Sequence, residues 1–215
     1  GLPPYPGGMT SGVTSIIWNT KEDFEWSATG YSRPNKANLI VYEMWLSNFL
    51  EDHSYETLTD TLDYLQRLGI NAIELQPVNE FEGNVSWGYN PSFYFALDKY
   101  YGTPAQFKRF VDECHMRNIA VIIDMVLNHS YDLAPYVQLY TDDLNAMIPG
   151  NPFYNVSSPN PVFSWGRDFN HESSATKAFV DRVNEYWLTE YNIDGFRFDF
   201  TKGFTNTPGE GSAYD

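Results

Sequence analysis

The sequence has 215 residues, with 13 Lys and Arg against 28 Asp and Glu, a formal net charge of −15. That balance repels nucleic acid and anionic membrane surfaces, whose affinity for proteins comes largely from Lys and Arg neutralising phosphates. No apolar run approaches the ~18 residues of a spanning helix, and the single cysteine, Cys114, excludes an intrachain disulfide framework and a multi-cysteine zinc site.

Residues 1–38 read as an irregular lead-in, punctuated by Pro3, Pro4, Pro6, Gly7, Gly8, Gly12, Gly30 and Pro34, with strand character only at Val13–Trp18. It is compatible with a linker from an upstream domain, and Gly1–Thr10 shows neither the basic nor the apolar part of a signal peptide. The first apolar run is Leu39–Met44, LIVYEM. Ser54 can then cap a helix with Leu58, Leu62, Leu65 and Leu68 at helical spacing, stopped at Gly69. The second run is Ala72–Pro77, AIELQP, and Thr103-Pro104 opens a helix with Phe107, Phe110, Val111 and Cys114 on one face. The third run, Ala120–Leu127 (AVIIDMVL), leads into a Pro-, Asn-, Ser- and Tyr-rich stretch over 130–170. A helix over 174–191 with Phe179, Val183 and Trp187 four apart precedes the fourth run, Asp194–Phe200, DGFRFDF.

Near-continuous apolar runs alternating with helices predict βαβ units and a parallel sheet covered on both faces. The runs start at 39, 72, 120 and 194. A (β/α)8 barrel spends roughly 31 residues per unit. The first spacing fits, and the excess in the last predicts an insertion after the third strand, over 130–170. The expected fold is α/β, the first four units of a (β/α)8 TIM-type barrel over 39–215, with an excursion after strand three.

Strand side chains alternate, so residues of equal parity share a face. Glu43 and Trp45, Glu74 and Gln76, Asp124 and Asn128, and Arg197 and Asp199 are four such pairs, near the C-terminal ends of their runs, with His129 just beyond the third. Barrel enzymes place their sites there. Buried ion pairs at mid-depth are the plainer alternative, but repetition over four strands favours a site. Arg197 and Asp199 are the sharpest pair, because a guanidinium beside a carboxylate favours its ionised form. An ionised carboxylate in a sugar cleft is a competent nucleophile towards an anomeric carbon. The 17% aromatic content suits a neutral, flat-faced substrate such as a sugar, or simply an aromatic-rich core.

DMVLNH at Asp124–His129 and GFRFDF at Gly195–Phe200 resemble the first and second sequence signatures of the α-amylase family of glycoside hydrolases (family 13). Trp87-Gly88-Tyr89-Asn90-Pro91 followed by Tyr101-Gly102-Thr103-Pro104 resembles that family's segment after barrel strand two, and Asp168-Phe169-Asn170 its short motif late in the excursion domain. The matches run in the family's order over residues 39–203. The resemblance implies that Asp199 is the nucleophile, with Arg197 holding it ionised and oriented and Asp124 supporting that arginine or the floor of the site. It further implies that His129 donates to a hydroxyl of the sugar being cleaved and that Tyr89 stacks on that sugar. Trp87 is a second stacking candidate, with core packing as the alternative. Asn128 and Asp168 match positions that bind a structural calcium in many members; others lack the metal, and no cofactor is required.

Two departures stand out. Where many amylases have Lys-His after the nucleophile, this chain has Lys202-Gly203; Lys202 remains able to reach the leaving-side sugar. The family's acid/base is a Glu at the end of barrel strand five, whereas the sequence stops at Asp215, and Glu210 and Asp215 are too close to Asp199 to match it. The resemblance thus implies the N-terminal half of the catalytic barrel of an α-glucan-active retaining enzyme, an α-amylase-like hydrolase or a glucan branching enzyme. The 215 residues by themselves are expected to be non-catalytic, to bind glucan weakly, and to self-associate through two open sheet edges. His53, His115 and His171 lack metal spacing and are expected in solvated or helix-surface positions. Asn84, Asn128 and Asn155 head Asn-x-Ser sequons, which one copy inside the expected site marks as chance. The composition fits an exported saccharidase and a cytoplasmic glucan enzyme alike.

Overall fold

A computed structural model describes residues 23–160 and 164–206. Val13–Trp18, Glu210 and Asp215 lie outside the described residues. In chain order the elements are β1 (Val41–Met44), α1 (Leu46–Phe49), α2 (Tyr55–Asp60), α3 (Leu62–Arg67), β2 (Ala72–Leu75), β3 (Asn79–Phe81), β4 (Pro91–Leu97), α4 (Pro104–Met116), β5 (Ala120–Val126), β6 (His129–Ser130), α5 (Pro135–Leu139), β7 (Arg167–Asp168), α6 (Ser174–Glu190) and β8 (Gly195–Asp199).

β1, β2, β5 and β8 form one parallel sheet in that order, with registers Val41↔Ala72, Ala72↔Ala120 and Ile122↔Gly195. Helices follow β1, β2 and β5, as successive βα units of a (β/α)8 barrel require. Leu58, Leu62, Leu65, Phe107, Phe110 and Val111 of the helices are fully buried, as are Ile73, Val121 and Ile123 of the sheet. At ~25 cal/mol per Å² of apolar area this layer supplies the main driving force for folding. Trp187 of α6 adds a buried hydrogen bond, its Nε1–H donating to the Tyr94 carbonyl at 2.8 Å.

The helix caps follow from sequence. Ser54 accepts from the Thr57 N–H at 3.1 Å. Thr103 and Gln106 form a reciprocal capping box at 3.1 and 2.8 Å. The single helix expected from Ser54 to Leu68 is instead two, α2 and α3, broken at Thr61, whose hydroxyl donates to the Leu58 carbonyl at 2.7 Å. Such back-bonding diverts a helix carbonyl. Leu68 is the C-cap of α3 and is 51% exposed, off the face that buries Leu62 and Leu65. Nor are all four strands covered on both faces. β1 and β8 are the sheet edges, and Val41 and Phe198 stay exposed there.

Three further features depart from expectation. The segment between β2 and α4 holds an antiparallel hairpin, β3–β4. His115 is buried, because Tyr31 stacks on it at 3.9 Å and its Nε2 meets Asp194 at 2.9 Å. His171 is largely buried too, stacked on Phe204 at 4.2 Å. Residues of the lead-in pack on the sheet side opposite the strand C-termini: Ser27 and Ala28 donate their N–H groups to Asp112 of α4 at 2.9 and 3.0 Å. The excursion runs from β6 to β7, which pair antiparallel, so it leaves and returns beside His129. Its interior is aromatic, with Tyr136 stacked on Phe153 and Tyr154 on Phe169.

Candidate active site

β5 and β8 are in register at Asp124↔Arg197, so the two side chains leave the sheet at the same height. Arg197 Nη1 donates to both oxygens of Asp124 at 3.1 Å and to Asp199 Oδ1 at 2.5 Å. One guanidinium thus bridges two carboxylates. The Asp124 side chain is fully buried, whereas that of Asp199 is 23% exposed, which leaves Asp199 as the carboxylate open to a ligand. Burial pushes the Asp124 carboxyl up to about 6, against the pull of hydrogen bonds from Tyr89 and Arg197. Burial also works against the charge on Arg197, but bonding to Asp199 and Asp124 outweighs it and raises the guanidinium further.

Tyr89 arrives from the loop between β3 and β4. That loop lies so close to the end of β2 that a Cβ on Gly88 would sit 2.5 Å from the Pro77 carbonyl oxygen, and Gly88 adopts φ +92°. Only glycine fits both demands. The Tyr89 hydroxyl donates to Asp124 Oδ2 at 2.7 Å. Its carbonyl accepts from His129 Nε2–H at 2.9 Å, while His129 Nδ1 accepts from the Asn128 amide at 3.2 Å. Burial lowers the His129 pKa, and the carbonyl fixes which nitrogen carries the proton. Its N–H is therefore directed at Tyr89 and not into the cleft.

Asp199 ends its strand abruptly because Phe200 takes a left-handed conformation, φ 47° and ψ 51°. A bulky residue there costs about 1–3 kcal/mol. The Phe200 ring meets Trp165 edge-on at 5.3 Å, and Trp165 also lies 6.3 Å from His129. Trp165 is 45% exposed, an aromatic face beside the site that sequence reasoning missed. Its only signal is its place just before Gly166 and Arg167-Asp168. Trp87 is 63% exposed and touches Trp45 edge-on at 6.1 Å, so it belongs to the rim and not the core. Lys202 is exposed in the 3-10 turn Thr201–Gly203.

Below the site, Glu43 and Glu74 are register partners, and Gln76 donates to Glu43 at 3.2 Å. Burial and the neighbouring Glu43 charge raise the Glu74 pKa. Glu74 is level with Ile122 and Gly195, four residues below Asp199. At a rise of ~3.3 Å per residue that is about 13 Å, far beyond the ~5 Å between a retaining pair.

The calcium expectation can be tested against Asn128 and Asp168. Asn128 Oδ1 is buried without a hydrogen-bond partner, as an ion ligand would be. However, a Cβ on Gly203 would fall 1.6 Å from that oxygen, so the Gly203 backbone already fills the space in front of it. Asp168 accepts from Asn155 Nδ2 at 2.6 Å and Ser158 Oγ at 3.3 Å, one on each carboxylate oxygen. No group of three or more His, Cys, Asp or Glu able to hold a metal occurs among the described residues. The pair does not make the cage of six to eight oxygens that calcium takes.

Comparison with known proteins adds an independent view. The sequence profile of the alpha amylase catalytic domain matches residues 48–159. A malto-oligosyltrehalose trehalohydrolase of Saccharolobus solfataricus is 32% identical over 191 residues, 87% of this chain and 31% of the relative. A 1,4-α-glucan branching enzyme of Picrophilus torridus is 32% identical over 210 residues, 91% of this chain and 28% of the relative. The crystal structure of a type I pullulanase from Bacillus subtilis, complexed with maltose, superposes with a TM-score of 0.68 at 26% identity, covering 86% of this chain and 30% of that one. The chain thus spans less than a third of the length of these relatives.

Proposed function

The chain belongs to the α-amylase family, and we propose that it carries the nucleophile half of a retaining α-glucan-active site, in which Asp199 attacks the anomeric carbon of an α-1,4-linked glucose. The observation that supports this is the Arg197 guanidinium bridging a buried Asp124 and an accessible Asp199 at the C-terminal ends of two parallel strands. Arg197 orients Asp199 through one carboxylate oxygen, and Asp124, itself held by the Tyr89 hydroxyl, in turn holds Arg197. Attack forms a glycosyl–Asp199 ester and releases the leaving sugar's oxygen, which needs a proton from a carboxylic acid on the other side of the bond. Glu43 and Glu74 lie too deep for that role, so the acid comes from a residue other than these. Trp87 and Trp165 offer apolar faces on which sugar rings stack, and Lys202 serves the leaving side.

The partner is an α-glucan polysaccharide or oligosaccharide, in line with relatives described as a trehalohydrolase and a branching enzyme. No helix among the described residues is long and apolar enough to cross a membrane. In a longer natural protein bearing these residues, Asp199→Asn abolishes turnover while glucan binding persists; retained turnover removes Asp199 from the nucleophile role. Products from amylose separate the two classes of activity. Reducing ends accumulate with a hydrolase, and branch points form without them when the acceptor is a sugar hydroxyl.

A further inference from the structure

The residues that fail as a calcium cage are joined in another way. Asn155, in the excursion, and Asn206, seven residues after Asp199, face each other amide to amide: Asn155 Nδ2 donates to Asn206 Oδ1 at 3.0 Å, and Asn206 Nδ2 donates back to Asn155 Oδ1 at 3.2 Å. The second hydrogens are used as well, Asn155 donating to Asp168 Oδ2 at 2.6 Å and Asn206 to Asn170 Oδ1 at 3.0 Å. The Asn206 backbone N–H donates to Glu172 at 3.1 Å. Beside this network His171 stacks on Phe204 and donates through Nε2 to the Leu127 carbonyl at 2.7 Å. Gly203 closes the same seam against Asn128.

We propose that the reciprocal Asn155–Asn206 amide pair is a positioning device, which fastens the excursion to the segment after Asp199 by hydrogen bonds in place of a bound cation. Two amides with both donors and one acceptor each engaged form a geometrically exacting link, and a partly buried network of this kind loses its worth when one member goes. Through the six residues between Asp199 and Asn206 the link sets where Phe200 turns and where Lys202 is presented. Asn155 heads one of the sequons, and its Nδ2 is occupied in the pair, so it is not open to a glycan. The effect on catalysis rests on the proposed role of Asp199; the structural link does not.

The test uses the full-length protein. Tm is measured with excess EDTA and again after adding calcium alone, and Asn155→Ala, Asn206→Ala and the double variant are assayed for Tm, kcat and KM. The expected result is a Tm indifferent to EDTA and calcium, and single variants that each lose about tenfold in kcat per folded enzyme, the folded fraction being read from the unfolding curve, with KM changed less than about twofold; a mere loss of folded enzyme vanishes on that normalisation. The double variant is expected to lose clearly less than the two single losses combined, because both singles remove the shared pair and differ only in their own bonds to Asp168 and Asn170. Gly203→Ala, which drives a methyl into Asn128, should reproduce the same loss. A Tm lowered by EDTA and restored by calcium overturns the proposal without any variant having to fold, and so do strictly additive losses. An Asp199→Asn enzyme that stays active would overturn the function and leave the Tm results standing.

Discussion

The two ends of β8 use nearly the same ingredients for opposite ends. Just before the strand, Asp194 gathers four donors: His115 Nε2 at 2.9 Å and the Val121 N–H at 2.7 Å on one oxygen, the Tyr31 hydroxyl at 2.9 Å and Arg33 Nε at 3.1 Å on the other. At the far end, Asp199 and Asp124 divide a single guanidinium, with a tyrosine again present. Burial would raise the Asp194 pKa, yet the His115 and Val121 bonds more than offset it and leave the carboxyl below its ordinary value. At Asp124 the balance tips the other way, and burial wins. A carboxylate saturated with donors is a structural tie, whereas Asp199, partly exposed beside a buried Asp124, stays accessible from the cleft. Two aspartates five residues apart therefore differ in what surrounds them, and the roles proposed for them follow from that difference.

This contrast can be broken most directly at the aspartates. Asp199→Asn in the full-length protein should lower kcat by at least about 10³-fold, with maltoheptaose binding by calorimetry and Tm little altered. Asp194→Ala should do the reverse, costing about 3–5 kcal/mol of stability in urea unfolding because it strands the buried His115, while kcat and KM of the folded enzyme hold. A fall in kcat there would show the two ends to be coupled. The sign of the pH effect follows from the depressed Asp194 pKa: its contribution is fully present above the ordinary aspartate value near 3.8 and is lost as pH falls through the lower folded value. Wild-type stability should thus drop below about pH 4 more steeply than that of Asp194→Asn.

A smaller effect sharpens the other end. Tyr89→Phe removes a hydrogen bond that favours ionised Asp124, whose carboxyl burial pushes up to about 6 even with that bond in place. The acid limb of kcat/KM should therefore move to higher pH; a limb that stays in place would mean that Asp124 need not be ionised for turnover. Least of all, Tyr31→Phe should cost about 1 kcal/mol, since three other donors remain on Asp194, and should leave the pH–rate profile unchanged.

Much of this was legible in the linear sequence, for a physical reason. Strand parity is a property of neighbours two residues apart, so Arg197 and Asp199 could be placed on one face from GFRFDF alone, and the apolar runs announced the parallel sheet. Caps at Ser54 and Thr103 are equally local, closing within three residues. What failed lay where local pattern competes with a distant partner. Leu68 keeps helical spacing but falls at the C-cap of α3 and stays exposed, where no distant element covers it. His115 and His171 looked like surface histidines, because nothing nearby in sequence reveals Tyr31, Asp194 or Phe204 closing over them. The sequence by itself determined the family, the strand faces and the pairing of Arg197 with Asp199. Only the tertiary structure decided that the His129 N–H is spent on Tyr89, that Trp165 stands beside the site, and that Asn155 meets Asn206 across 51 residues, because hydrogen bonds and ring contacts between loops are set by long-range closure of the chain and leave no periodic trace in it.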